Sequence, residues 1–182
     1  MIVAMRSQQT VPTALLFAVC GMASSQLLNI ENWGTHLLPV PFGLLSAWLL
    51  VDAAGPAIVL VVLDAAVWQI AFRVAADLGA QSGTGRRVFA LFLAGLVGGL
   101  GVTLATALAQ RRRPSLTAIA TGSVLGGLGG LPFAAWVVLG LRSPIPEWLM
   151  LILCFAIWQG LAGASLWVSF QTQPRSKSAA SG

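Results

Sequence analysis

The sequence is poor in charge, since Asp, Glu, Lys and Arg together make up 8% of its 182 residues. Typical soluble domains carry about 25% charged residues, so this chain has too little polar surface for an ordinary water-soluble protein. Hydrophobic residues make up 57% of it. Apolar runs recur along the chain at close to the length of about 20 residues that a membrane-spanning helix needs. The composition therefore predicts an all-α protein, a polytopic membrane helical bundle.

Several chemistries lack the residues that they require. The chain has one histidine, His36, so bis-histidine haem ligation and multi-histidine metal sites are excluded. It has no tyrosine, and its serines have no histidine beside them in a catalytic pattern. Its two cysteines, Cys20 and Cys154, lie inside apolar runs, where we expect small buried hydrophobic residues. We therefore expect neither a metal nor a cofactor, and the sequence leans against an enzyme.

The formal net charge is +5, which would suggest a nucleic-acid partner in a soluble protein. Here the basic residues lie at the ends of apolar runs and in short loops, where membrane topology explains them better. We therefore expect the chain to interact with the lipid bilayer, and we expect no nucleic-acid partner.

Six spans follow from the apolar runs and the polar loops between them. Their predicted bounds are about 11–29, 36–51, 57–74, 88–109, 116–141 and 148–170. Together they form a single integral membrane domain over residues 1–182, with a short N-terminal tail (1–10) and a polar C-terminal tail (171–182). The count falls to five if the first span is a cleaved signal peptide. It also falls to five if the short second span forms a re-entrant hairpin with the third.

The distribution of basic residues predicts the orientation. With the N-terminus inside, the inner flanks carry six basic residues and the outer flanks four. The inner set is Arg6, Arg111, Arg112, Arg113, Arg175 and Lys177, and the outer set is Arg73, Arg86, Arg87 and Arg142. We therefore expect both termini to be cytoplasmic, in a bacterial inner (plasma) membrane.

Glycines recur four residues apart in the fourth and fifth spans. They are Gly95 and Gly99 in the fourth span, and Gly122, Gly126 and Gly130 in the fifth. Small residues at this spacing allow two helix backbones to approach closely. The pattern predicts that these spans pack against each other or against a partner, which would be another membrane subunit or a second copy of the chain.

The third span carries an acid near its middle. Residues 58–72 are apolar except for Asp64 and Gln69. A central aspartate costs about 2.5–3.5 kcal/mol on insertion scales, and nine apolar neighbours return roughly 3–5 kcal/mol. The segment can therefore insert despite Asp64, and the presence of this residue alone does not establish a function.

A polar intramembrane site is predicted around Asp64. Trp68 lies one turn away on the same face, and Gln69 follows it. The candidate partners from other spans are Gln26, Asn29, Thr103, Thr106 and Gln159. In the functional interpretation, the site binds a proton, a cation or a polar substrate. In the structural interpretation, a neutral aspartic acid is hydrogen-bonded to glutamine or threonine and holds the bundle together.

Two functions are therefore open. In the first, the chain is a transporter, or the membrane subunit of a transport system, with its polar site around Asp64. In the second, it is a non-catalytic structural or assembly subunit of a larger membrane complex that docks through its glycine-rich helix faces.

Overall fold

The computed structural model describes residues 2–29, 34–80, 83–139 and 145–171, and this part of the chain contains helices and no strands. Six helices are longer than ten residues. They are α1 (Ile2–Gln26), α2 (Val40–Leu50), α3 (Ala54–Gly79), α4 (Thr84–Ala109), α5 (Leu116–Leu139) and α6 (Glu147–Gln171). A 3₁₀ turn (Leu27–Asn29) and a single helical turn (Gly34–Leu37) lie between α1 and α2. The all-helical prediction is confirmed for these residues.

Four of the helices, α3 to α6, are long and apolar enough to cross a membrane. The other two apolar segments are shorter, Val11–Gln26 of α1 and Val40–Leu50. By length and composition the described helices thus indicate four spans, against the six predicted from the sequence.

The second predicted span is shorter than expected because two prolines interrupt it. Pro39 is the residue before the first turn of α2, and Pro41 lies within that turn. Proline fits a helix start because its missing N–H has no partner there, but it disfavours helical geometry in the residue before it. The predicted helix over 36–51 is therefore divided into the turn Gly34–Leu37 and the 11-residue α2.

Helices α3 and α4 extend beyond the apolar runs from which they were predicted. Both α3 and α4 contain 26 residues, which is a length of about 39 Å. This approaches the thickness of about 40–45 Å of a bilayer with its headgroups. Asp77, Arg86 and Arg87 therefore lie within helices, since α3 ends at Gly79 and α4 begins at Thr84. Gly83 has a φ of 71°, a conformation that glycine adopts without strain.

The structure describes one of the two predicted tails and does not test the predicted orientation. Residues 2–10, predicted as a tail, belong to α1, whereas 172–182 lie outside the described residues. The side chains of Arg6, Arg142, Arg175 and Lys177 also lie outside the described part. The orientation therefore stays a prediction.

The six helices form a closed ring of contacts. Each of α3, α4 and α5 packs against the helix that follows it, α6 packs against α1, α1 contacts α2, and α2 packs against α3. Short connections make neighbours in sequence neighbours in space, as is usual. The contact between α1 and α6 closes the ring.

Aromatic side chains fill much of the interior of this ring. The ring centroids of Phe17 and Phe42 lie 5.1 Å apart, and those of Phe42 and Trp158 lie 6.1 Å apart. Trp68 lies 5.4 Å from Trp158 and 5.6 Å from Phe155. Ring pairs at these separations attract each other. The cluster thus joins α1, α2, α3 and α6 across the bundle.

The glycines of α4 and α5 lie in the contact between these two helices. A Cβ atom at Gly95 would meet the carbonyl oxygen of Gly126, and one at Gly99 would meet that of Gly122. A Cβ atom at Gly130 would likewise meet a backbone carbonyl of α4. The two backbones therefore touch at positions where no side chain fits, and the glycine faces are occupied within this chain.

Substituting alanine for Gly99 tests this contact. We expect Gly99→Ala to lower the free energy of unfolding by about 1–3 kcal/mol, because the new methyl group collides with backbone that must shift. The matched control is Gly85→Ala in the first turn of the same helix, where nothing lies within 4 Å of the added Cβ atom. The control should leave stability unchanged or raise it by up to about 1 kcal/mol. Unfolding in mixed detergent micelles, followed by circular dichroism, measures both. Equal stability of the two variants would contradict the proposed contact.

Candidate functional site

Asp64 lies in α3 and faces the interior of the bundle, where 2% of its surface is exposed. Helix α2 passes directly over it at Gly43. A Cβ atom at Gly43 would lie 3.2 Å from the Cα atom of Val61 and 3.6 Å from the Cβ atom of Asp64. The absence of a side chain at Gly43 allows α2 to approach α3 this closely. The acid is therefore enclosed by protein on the side of α2.

Neither carboxyl oxygen of Asp64 has a hydrogen-bond partner among the residues that the structure describes. The hydroxyl group of Ser46 is also buried and has no partner within the described ranges. Ser46 lies three residues after Gly43, nearly one helical turn along α2. The sequence analysis missed Ser46, although a lone hydroxyl inside the apolar run of α2 is a signal that could have identified it.

Gln159, a predicted partner of Asp64, lies buried in α6 and binds elsewhere. Its Nε2 atom donates a hydrogen bond of 3.1 Å to Oγ of Ser24, which connects α6 to α1. Its Oε1 atom is buried and has no partner in the described part of the chain. Gln159 therefore holds two helices together and keeps one acceptor free.

The hydroxyl groups expected to reach Asp64 from α4 bond to their own helix instead. Thr103 donates to the carbonyl oxygen of Gly99 and Thr106 to that of Val102, each at 2.8 Å. Both threonines are buried, and this bond to the preceding turn is the usual way for a helical threonine to satisfy its hydroxyl. The side chain of Asn29, another predicted partner, lies outside the described ones.

Two further residues of the predicted site are placed apart from the buried carboxyl. Gln26 is exposed at the end of α1, where its Nε2 atom donates to Oγ of Ser25 at 3.3 Å. Gln69 is partly buried in α3. It is five residues from Asp64, so it points about 140° away around the helix axis. Of the predicted glutamines, Gln159 alone is buried in the bundle interior.

Trp68 covers the acid on the side of the C-terminal half of α3. Helical side chains lean toward the N-terminus of their helix, so Trp68 lies over the turn that carries Asp64. Its indole packs against Trp158 and Phe155. Its Nε1 atom is buried and has no hydrogen-bond partner among the described residues. The indole N–H is therefore an unpaired donor on the same face of α3 as the unpaired carboxyl group.

We call the residues Asp64, Ser46 and Gln159 the polar layer. The contact at Gly43 brings the helix of Ser46 against Asp64, whereas Gln159 contacts Ser24 of α1. The three residues of the layer lie on α3, α2 and α6, and each has a buried oxygen without a partner in the described structure. An unpaired buried polar group costs about 1–3 kcal/mol, so each one requires an explanation. Oxygen acceptors in an apolar bundle can hold a proton or a small cation. No group of three metal-ligating side chains was found within the described residues.

No family model matches this chain, and no curated protein or solved structure is significantly similar to it. What the polar layer does must therefore be argued from its own chemistry.

Replacing Asp64 with leucine distinguishes a functional acid from a structural one. Leucine branches at the same atom as aspartate and carries no polar group. We expect Asp64→Leu to raise the free energy of unfolding by about 1–3 kcal/mol, because it removes an unpaired buried carboxyl group. Asp77→Leu, at an exposed position of the same helix, should have little effect. Chemical unfolding in detergent measures both. A loss of stability in Asp64→Leu would show that the carboxyl group holds the bundle together.

A double-mutant cycle tests the bond between Gln159 and Ser24. We expect Gln159→Leu and Ser24→Ala to be coupled by about 0.6 kcal/mol, and by at most about 1.7 kcal/mol, as measured for hydrogen bonds between membrane helices. The four unfolding free energies of the cycle give this value. Additive effects of the two substitutions would contradict the bond.

Proposed function

We propose that this chain is an integral membrane protein of a transport system, in which Asp64 takes up a proton or a cation. One observation carries the proposal, namely a carboxyl group buried in an apolar bundle with both oxygens unpaired among the described residues. A carboxyl group retained for stability alone would be hydrogen-bonded, because an unpaired one destabilises the fold. Acids that face the interior of a membrane bundle commonly mark ion pathways and proton relays.

The helix surfaces support embedding in a bilayer. Large apolar side chains point outward on several helices, including Trp48, which is 75% exposed, and Ile58, Leu108 and Leu116. Soluble proteins rarely expose apolar surface this extensively. We propose that all six helices belong to one membrane bundle with both termini on the cytoplasmic side.

The short helix α2 fits this arrangement as a shielded segment. Its 11 residues extend about 17 Å, roughly half of the hydrocarbon core of about 30 Å. Backbone that ends inside the membrane must be covered by protein or line a cavity. The contacts of α2 with α1, α3 and α6 provide such cover. Ser46 on this helix then lies at membrane depth, beside the turn that faces Asp64.

The chemistry of the polar layer suits a small positive ion. In hydrocarbon an isolated charge is costly, so the carboxyl group either carries a proton or pairs with a cation. The free oxygen of Ser46 adds a neutral acceptor on α2, the helix that packs against α3 at Gly43. Trp68, which lies one turn after Asp64 on the same face of α3, packs against Trp158.

The assembly function has less support. The glycines that would dock a partner lie in the contact between α4 and α5. A partner would therefore have to bind other surfaces, and nothing in the described structure favours one.

Proton flux into liposomes tests the transport proposal. Purified protein is reconstituted into vesicles that contain a pH-sensitive dye, and a potassium diffusion potential set by valinomycin drives cations inward. We expect faster internal acidification than in empty vesicles, and the empty-vesicle rate with Asp64→Asn. The matched control is Asp77→Asn, the same change at an exposed position of α3, which should keep the wild-type rate.

Two checks make this result interpretable. Circular dichroism and size-exclusion chromatography establish that both variants are folded. The assay is repeated under the same potassium diffusion potential with sodium in the external buffer and a sodium-sensitive dye inside the vesicles. The proposal is wrong if neither ion enters faster than in empty vesicles, or if Asp64→Asn transports as fast as wild type.

A further inference from the structure

A second feature of the bundle is an apolar cavity of about 260 Å³. Helices α3 to α6 enclose most of it, in the half of the bundle that contains the C-terminal ends of α3 and α5. Its lining residues are aliphatic, aromatic or glycine, and none of them carries a charge. The main walls are the rings of Trp68, Phe133, Trp136, Phe155 and Trp158.

The cavity exists because small residues face large ones. Gly95 and Ala94 line it from α4, and Ala71 and Ala75 line it from α3. They lie opposite the aromatic rings of α5 and α6, which do not fill the space between them. A cavity of this kind is poorly suited to water, because a buried water molecule needs two to four polar partners. An apolar cavity of about 150 Å³ accommodates benzene, so this larger one has room for a longer group.

The cavity is separate from the polar layer. Trp68, Ala71, Phe72 and Ala75 form one stripe along α3, and Asp64 is the next member of that stripe but does not line the cavity. Trp68 lies between the two. A group bound in the cavity therefore gains apolar contacts and no contact with the carboxyl.

One lining residue is also exposed. Phe72 lines the cavity and is 46% exposed. The cavity thus reaches the apolar outer surface of α3. In a bilayer this surface faces lipid chains, which gives them a route into the cavity from the side.

We infer that the cavity binds the hydrocarbon chain of a membrane lipid, which enters from the bilayer past Phe72. The inference rests on the membrane embedding proposed above and does not depend on Asp64. It fits the uncharged lining, the aromatic walls and the opening at an apolar surface. A lipid chain needs no polar partner, which matches a cavity that offers none.

Photolabelling in vesicles tests the inference. The protein is reconstituted with phosphatidylcholine that carries a diazirine in one acyl chain, irradiated, digested and mapped by mass spectrometry. We expect labelling of Phe155 and Trp158, which line the cavity but are buried from the outer surface. Exposed Trp48 should be labelled in the same sample, since it faces the bilayer directly.

A pair of adjacent substitutions provides the control. Ala75→Phe places a ring in the cavity, whereas Ala76→Phe places the same ring at an exposed position of the same helix. We expect labelling of Phe155 and Trp158 to fall about tenfold in Ala75→Phe, the change that a loss of about 1.4 kcal/mol in binding produces. Ala76→Phe should label as wild type does. Circular dichroism verifies that both variants are folded.

The other outcomes overturn the inference in distinguishable ways. Labelling of Trp48 without Phe155 or Trp158 would show that the protein is embedded and that no lipid chain enters the cavity. Absence of label from all three would overturn the membrane embedding as well. A parallel sample receives free adamantyl diazirine. If this probe labels the two buried residues and the lipid probe does not, the ligand is a small hydrophobic molecule and not a lipid.

Discussion

The contact between the backbones of α4 and α5 is the constraint on which the rest of the structure depends. Gly95 and Gly99 bring α4 against α5 on one side. On another side of α4, Gly98 faces the ring of Trp158, whose Cζ2 atom would lie 3.0 Å from an added Cβ atom, and Gly101 faces α3. Glycine on more than one face of α4 allows α5, α3 and the Trp158 ring of α6 to approach it closely. The Trp158 ring, which lines the cavity, occupies space that the missing side chain of Gly98 leaves open.

The interior is divided into two chemically different regions by tryptophan rings. Along α3, the unpaired carboxyl group of Asp64 lies one turn before Trp68, and a cavity with apolar walls begins at Trp68 and continues toward Ala75. Trp68 and Trp158 pack edge to face between them. The two regions have opposite needs. A buried polar group needs a polar partner, whereas an apolar cavity offers none and stays without water.

The sequence predicts the helical class and the close packing of the helices that carry the spaced glycines, because both depend on local periodicity and on residue size. It does not predict the length of α2, since the effect of Pro39 depends on where the helix begins. It ranks Gln26 and Gln159 as equal candidates, although one is exposed and the other buried. Ser46 and the cavity are missed for a related reason. Both depend on which helices become neighbours, and no short stretch of sequence contains that information.

The closed ring of helices has a consequence for the order of assembly. Helices α1 and α6 are joined by an extensive contact although they lie at opposite ends of the described chain. Contacts between distant parts of a chain form late, because the intervening segment must first be ordered. During synthesis, α1 would contact α2 early, and the side of α1 that packs against α6 would be covered only after α6 is made. An incomplete chain of five helices would leave Ser24 and Phe17 facing a gap, so the last helix completes the interior of the first.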